Sequence, residues 1–250
     1  MRPLLQVDEV TAGFGATTVL HGLSYEVAPG EIAGIFGLNG AGKSVSMKVL
    51  AGIVPTRSGR ILFDGLDVTR MSAEERVAKG MAHVPQGRNV FAALTVEQNL
   101  RLGAYTLRRR APRKYRALLD GVYDRFPVLR ERRTQIAGTM SGGQQASLAV
   151  ARALMAEPLL MLVDEPSAGL APLVVQELYE TLRAVAATGV TMVLVEQNVT
   201  FGLQLAHTAH ILQTGRIVHS GAVADLDMDD VASYLGVGRL LRGGLKAVKA

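Results

Sequence analysis

Three short runs of the chain combine residue types and spacings that suit phosphate chemistry. The first, Gly37-Leu38-Asn39-Gly40-Ala41-Gly42-Lys43-Ser44, places four free positions between two glycines and follows them with Gly-Lys-Ser. That is the layout of a phosphate-binding loop. Glycines let successive backbone N–H groups turn inward around an anion with no side chain in the way. Lys43 reaches β- and γ-phosphates as a point charge, and the Ser44 hydroxyl is a ligand for Mg²⁺. The second run, Leu159-Leu160-Met161-Leu162-Val163-Asp164-Glu165, is an apolar strand ending in two acids. Asp164 is placed to hold Mg²⁺, and Glu165 beside it to orient or deprotonate an attacking water. The third, Ser141-Gly142-Gly143-Gln144-Gln145, opens a helix with a serine and two glycine N–H groups at its positive end. It reads as a second anion site or as an ordinary helix cap.

The elements around these runs must deliver them to one place. Ile32–Phe36 reads as a short buried strand feeding the loop. Ser44–Ala51 reads as a helix, Val45 in its first turn, with its N-terminus facing the phosphate. Before it, Leu4–Val10, Leu23–Val27 and Arg60–Phe63 are strand-like runs punctuated by Gly13, Gly15, Pro29-Gly30, Gly59 and Gly65. After it come a helical stretch from Ser72 to Gly80, a strand Met81–Val84, and a polar, basic helical region from Thr95 to about Arg133. Next is a helix Ser141–Glu157 stopped by Pro158, then the strand Leu159–Val163, the helix Leu173–Ala187 and the strand Val190–Val195. Alternating strands and helices argue for an α/β fold with a mainly parallel sheet covered on both faces.

Composition narrows the chemistry. The 250 residues carry no cysteine, which removes disulfides, thiol catalysis, thiolate zinc sites and iron–sulfur clusters. No run approaches the roughly 18 apolar residues of a membrane-spanning helix. The stretch Met1–Val10 lacks the apolar core of a signal peptide, so a cytosolic chain is expected. The net charge of +5 is uneven. Arg101, Arg108, Arg109, Arg110, Arg113, Lys114, Arg116, Arg125, Arg130, Arg132 and Arg133 face only Asp120, Asp124 and Glu131 in that stretch, and Arg239, Arg242, Lys246 and Lys249 follow near the end. This excess suits solvated helix faces, a surface near anionic lipid headgroups, or nucleic acid. His207 and His210 have i, i+3 spacing, but no acid or third imidazole stands nearby to complete a metal site.

Taken together, the runs resemble the ATP-binding cassette family of transporter ATPases over nearly the whole chain. Ser141-Gly142-Gly143-Gln144 looks like the family signature, and Leu159–Glu165 like its magnesium-site strand and catalytic glutamate. Gln86, in Val84-Pro85-Gln86-Gly87, looks like the glutamine that joins core and helical subdomain and reaches the metal. Ser167-Ala168-Gly169-Leu170 resembles the loop that contacts a partner subunit, and Phe14 sits where the family stacks an aromatic ring on adenine. Gln197 stands where most members have a switch histidine, Met140 replaces the usual leucine before the signature, and Ala146-Ser147 replaces longer polar side chains. Within the family the likeness is to the ATPases of branched-chain amino-acid and urea importers. It rests on Val84–Arg88 with Phe91, Leu94–Leu100, Ala168–Pro172 and Val195–Asn198. The branched-chain type often has Glu where this chain has Gln86, and there the urea type is the better match.

The resemblance implies a phosphate-loop ATPase core of the RecA-like kind. To it would be added an N-terminal antiparallel β subdomain and a helical subdomain inserted at about residues 87–150. The ATPase domain would then cover 1–236, and a basic tail 237–250. It implies ATP and Mg²⁺ as cofactors, with Lys43, Glu165, Gln86 and Gln197 in catalysis and Ser44, Asp164 and Gln86 at the metal. Phe14, residues 37–45 and Ser141–Gln144 would contact nucleotide. The expected partners are membrane permease subunits, a second ATPase subunit arranged head to tail (a paralogue by resemblance), and indirectly an extracytoplasmic solute-binding protein, with no nucleic acid. The expected location is the cytoplasmic face of the membrane. Repair-type cassettes need a long coiled coil between phosphate loop and signature, and the 98 residues from Lys43 to Ser141 leave no room for one. Translation types join two cassettes in one chain. A non-hydrolysing binding subunit of an exporter or lipid-moving complex is the remaining alternative, and Glu165 argues for hydrolysis.

Overall fold

A computed structural model describes residues 2–227 except 88, 106 and 108–110, together with 231, 233 and 234. The expectations for Arg88, for Arg108–Arg110 and for the tail from 237 lie outside the described residues.

Alternating apolar positions build the first sheet. In β1 (Leu5–Phe14), Leu5, Val7, Val10 and Ala12 are buried. In β2 (Thr17–Val27), Leu20, Leu23, Tyr25 and Val27 are. β1 is antiparallel to β2 on one side and to β4 (Thr56–Phe63) on the other, and β5 (Leu66–Asp67) extends β4. The register slips at Glu9, whose φ of 48° marks a bulge. This four-stranded sheet is the N-terminal antiparallel layer.

The central strands of the second sheet, Ile32–Phe36, Leu160–Asp164 and Thr191–Glu196, are fully buried, as expected where both faces are covered. Its order is β10 (Arg216–Ala222), β9 (Thr208–Gln213), β3 (Ile32–Phe36), β8 (Thr191–Glu196), β7 (Leu160–Asp164) and β6 (Met81–Val84), parallel except for the outer β10–β9 hairpin. Between the sheets lies α1 (Lys43–Leu50). Its Met47, Val49 and Leu50 share a core with Leu5, Leu20, Ile61 and Phe63 of one sheet and Ile35, Leu162, Val193 and Val195 of the other. A short α2 (Ala73–Ala78) precedes β6.

Where a continuous helical region from Thr95 to Arg133 is expected, the described residues include α3 (Val96–Gly103), α4 (Pro112–Arg125) and α5 (Pro127–Glu131) as separate helices. Pro112 and Pro127 each stand in the first turn of a new helix, where a missing N–H costs nothing. These helices pack with α6 (Gly142–Leu154) and α7 (Pro172–Ala186) in a second core that includes Leu100, Tyr123, Leu148 and Leu182. α8 (Val199–Leu205) covers the β3–β9 side through Leu203 against Phe36 and Ile211. The β9–β10 hairpin has no counterpart in the sequence reading. No helix among the described residues is long and apolar enough to cross a membrane.

Candidate functional site

Four adjacent strands end in one row. Phe36 pairs with Glu196, Asp164 with Val195, and Val84 with Val163. The phosphate loop, the Asp164-Glu165 pair, Gln197 and Gln86 therefore leave the carboxyl ends of β3, β7, β8 and β6 along a single edge. Ligands of parallel sheets bind at such an edge.

Within the loop, Gly40 and Gly42 hold φ of 82° and 105°, values side chains resist. A Cβ on Gly37 would lie 2.3 Å from the Leu212 carbonyl oxygen. Leu38, Asn39 and Gly40 are exposed, whereas Ala41, Gly42 and Lys43 are buried and Ser44 and Val45 half-buried. α1 begins at Gly42 with no side-chain cap and no acid in its first turn. Its positive end is left to the loop backbone. The Lys43 ammonium donates to the carbonyls of Gly37 at 2.9 Å and Leu38 at 3.3 Å and stands 3.5 Å from Glu165 Oε1.

Asp164 and Glu165 leave β7 buried. The Ser44 hydroxyl donates to Asp164 Oδ1 at 3.3 Å. Burial, reinforced by the Glu165 charge, pushes the Asp164 carboxyl up to about 6, with Ser44, Lys48 and Lys43 pulling the other way. Glu165 adopts φ 44°, a costly backbone for a glutamate, and its N–H donates to the Val195 carbonyl at 2.9 Å. Gln86 Nε2 donates to Glu165 Oε2 at 2.7 Å. Gln86 and Lys43 thus hold the two oxygens of one carboxylate. A hydroxyl beside a carboxylate is a hard oxygen set that suits Mg²⁺, which binds through one or two carboxylates plus substrate phosphates. Among the described residues no cluster of three or more His, Cys, Asp or Glu side chains could hold a metal. His207 Nδ1 instead accepts from the Ile32 N–H, and His210 Nδ1 bonds the Ser220 hydroxyl.

Gln197 is exposed just past β8, and its N–H donates to Glu196 at 3.1 Å. Phe14 ends β1 half-exposed before the Gly15 turn. Ser141 caps α6 in a reciprocal pair. Its hydroxyl accepts from the Gln144 N–H at 3.4 Å, and its own N–H donates to Gln144 Oε1 at 3.1 Å. Gly143 packs against α7, where a Cβ would fall 2.2 Å from Val174 Cγ1. The cap reading of this run is therefore realised within the chain. Ser141 lies outside the row of strand ends.

Several supporting residues escaped the sequence reading. Gly215, in the β9–β10 turn, donates its N–H to the Ala41 carbonyl at 2.9 Å and so braces the phosphate loop from behind. Arg76, buried, donates to the Val49 and Leu50 carbonyls at 2.7 Å each and closes the negative end of α1. Arg57 donates to the Gly15 and Thr17 carbonyls and to the Thr18 hydroxyl, fixing the hairpin tip beside Phe14. Gln145 Nε2 holds the Ala137 and Met140 carbonyls ahead of the Ser141 cap. Asn99, buried, bonds both backbone groups of Phe91, over whose ring the Arg152 guanidinium sits at 5.0 Å.

Comparison with known proteins agrees with this geometry. The ABC transporter family model matches residues 20–168. The chain is 43% identical to the high-affinity branched-chain amino acid transport ATP-binding protein BraG of Pseudomonas aeruginosa, over 93% of this chain and all of that one. It is 33% identical to the probable branched-chain amino acid transport ATP-binding protein LivF of Archaeoglobus fulgidus, over 89% of this chain and 94% of that one. Its fold matches an ATP-binding cassette of an ABC transporter in its ADP conformation, with TM-score 0.81 and 24% identity, over 96% of this chain and 100% of that one. The strand-edge constellation and these likenesses together make the chain a member of the ABC transporter family, an ABC ATPase of the kind that binds and hydrolyses ATP to power transport.

Proposed function

We propose that the chain is the ATP-hydrolysing subunit of an importer for branched-chain or other hydrophobic amino acids. The observation that supports the hydrolytic roles best is the meeting of Lys43, Gln86 and Glu165 beside the Ser44–Asp164 pair at the sheet edge. The solute assignment rests on the likeness to BraG and LivF. Gln86, found where the branched-chain type often has Glu, favours a second reading, an importer of urea or short amides.

In this proposal Lys43 exchanges its loop carbonyls for the β- and γ-phosphates, while the backbone of residues 37–45 surrounds them. Ser44 and Asp164, with the Gln86 carbonyl, hold Mg²⁺, which when bound offsets phosphate charge. Glu165, steered by Gln86, orients and deprotonates the attacking water. Gln197 donates a hydrogen bond to the γ-phosphate as a neutral group, and Phe14 stacks on adenine. Ser141–Gln144 faces the ATP of a second ATPase subunit, a paralogue, in a head-to-tail pair. Permease subunits dock between core and helical subdomain near Gln86–Leu100, on the cytoplasmic face of the membrane. A solute-binding protein on the far side delivers the solute.

Glu165→Gln in the assembled transporter tests the chemistry. ATP binding should persist while turnover falls by about 10²-fold or more, the scale of a lost group acting on the transition state. Turnover at the parental rate would refute the role of Glu165. Loss of leucine uptake with urea uptake intact in cells lacking the subunit supports the first solute reading, and the reverse pattern the second.

A further inference from the structure

We infer that Glu196 is a positioning residue that ties the loop after Glu165 to the loop carrying Gln197, so that the two shift together. Glu196 is the last residue of β8 and is 1% exposed. Its two carboxylate oxygens are divided between the loops. Oε1 accepts from the Ser167 N–H at 3.2 Å, and Oε2 accepts from the N–H groups of Gln197 at 3.1 Å and Asn198 at 3.4 Å. A carboxylate accepts about four hydrogen bonds, and those to a charged acceptor are roughly twice as strong as neutral ones. One buried side chain therefore joins two backbone segments that leave neighbouring strands.

The surroundings keep the carboxylate on this task. Beneath it α7 supplies the buried Tyr179, which lies near Phe201 of α8 at 5.9 Å between ring centroids. On the other side α8 approaches so closely that a Cβ on Gly202 would lie 3.3 Å from Glu196 Cβ and 2.3 Å from the Phe36 ring. Burial pushes the Glu196 carboxyl up, while its bonds to the Ser167 and Asn198 backbone and to the side chains of Ser167 and Tyr179 pull it back toward the charged form. The Ser167 and Tyr179 side chains and the loop amides together make a buried charge tolerable here. A shift of Gln197 toward or away from a phosphate would be passed through Glu196 to Ser167. The inference rests on the proposed roles of Gln197 at the γ-phosphate and of Ser167–Leu170 against a partner subunit.

Glu196→Gln is the direct test. The amide keeps the shape but offers one acceptor and turns two donors toward N–H groups, so it can serve one loop and not both. In the assembled transporter, kcat should fall about tenfold or more, while KM for ATP and the affinity for a fluorescent ATP analogue stay within about twofold, because the phosphate loop is untouched. Glu196→Asp keeps the charge but is one methylene shorter, and should show the same split. Adding Glu196→Gln to Gln197→Ala should lower kcat by no more than about twofold further, since both changes remove one unit. Parental kcat with only a lowered melting temperature would reduce Glu196 to a structural prop and overturn the inference. So would multiplying losses in the double variant, or a KM raised in step with the fall in kcat. A parental complex that does not hydrolyse ATP would instead refute the proposed function.

Discussion

The two glycine-rich helix starts, at α1 and at α6, solve the same physical problem in opposite ways. Each presents backbone N–H groups at a positive helix end. α6 answers part of this itself, through the reciprocal Ser141–Gln144 cap. α1 does not, since its cap residue is a left-handed glycine with no side chain to offer and no acid follows in the first turn. The other end of α1 is closed by the buried Arg76 guanidinium. One start has no side-chain cap, while the other is partly closed by its own side chains. Two similar glycine runs in the sequence thus fold differently: an uncapped helix start beside the Lys43 loop, and a helix start capped by its own serine.

Arg76→Met attacks the α1 side of this contrast most strongly. It leaves the Leu50 carbonyl without its guanidinium partner and the Val49 carbonyl with the Gly52 N–H alone. We expect a loss of about 4 kcal/mol of stability, seen as a drop of about 10 °C or more in melting temperature. A drop of a degree or two would mean that the end of α1 needs no guanidinium.

A somewhat smaller effect is expected from acid. His210 sits on β9, whose Leu212 abuts the phosphate loop, and burial lowers its pKa from 6.5 to about 4. The folded chain holds it neutral, so the unfolded chain takes up a proton first as pH falls. The stability linked to the neutral ring is complete above pH 6.5 and is lost as pH falls toward 4, by about 3 kcal/mol at most. His210→Gln should flatten the fall in melting temperature across that window. An unchanged slope would rule His210 out as its source.

Phe14→Ala should have the smallest effect, raising KM for ATP and GTP alike by about fivefold, the scale of one lost ring stack, with Phe14→Tyr nearly silent. An unchanged KM would move the base contact away from Phe14, with Val19 the next candidate.

Much of the site was legible because each part is carried by a local pattern. The glycine spacing before Lys43, the apolar run ending at Asp164-Glu165 and the serine opening α6 each need only neighbours in sequence, and β3 and β6 match their expected bounds. The supports were not legible because their partners are distant in the chain. Gly215 reaches Ala41, Arg76 reaches Val49, Arg57 reaches Gly15, and Glu196 reaches Ser167. The β9–β10 hairpin was missed for a related reason. β10 alternates between exposed and half-buried positions, so its apolar contrast is weak, and two histidines and two threonines break the run from His207 to Thr214. The helical region was read as continuous because its basic and apolar pattern persists across Pro112 and Pro127, where the chain restarts a helix.

The contrast between α1 and α6 is tested most directly by titrating a fluorescent ATP analogue into the single chain, at concentrations too low for pairing, for the parent, Lys43→Ala and Ser141→Ala. Lys43→Ala should weaken binding by about tenfold or more, the scale of lost charge-assisted bonds. Ser141→Ala should bind within about twofold of the parent, and lose activity only when turnover is measured in the assembled transporter. Equal weakening of single-chain binding by both substitutions would contradict the account, because the Ser141 helix would then belong to the same chain's nucleotide site.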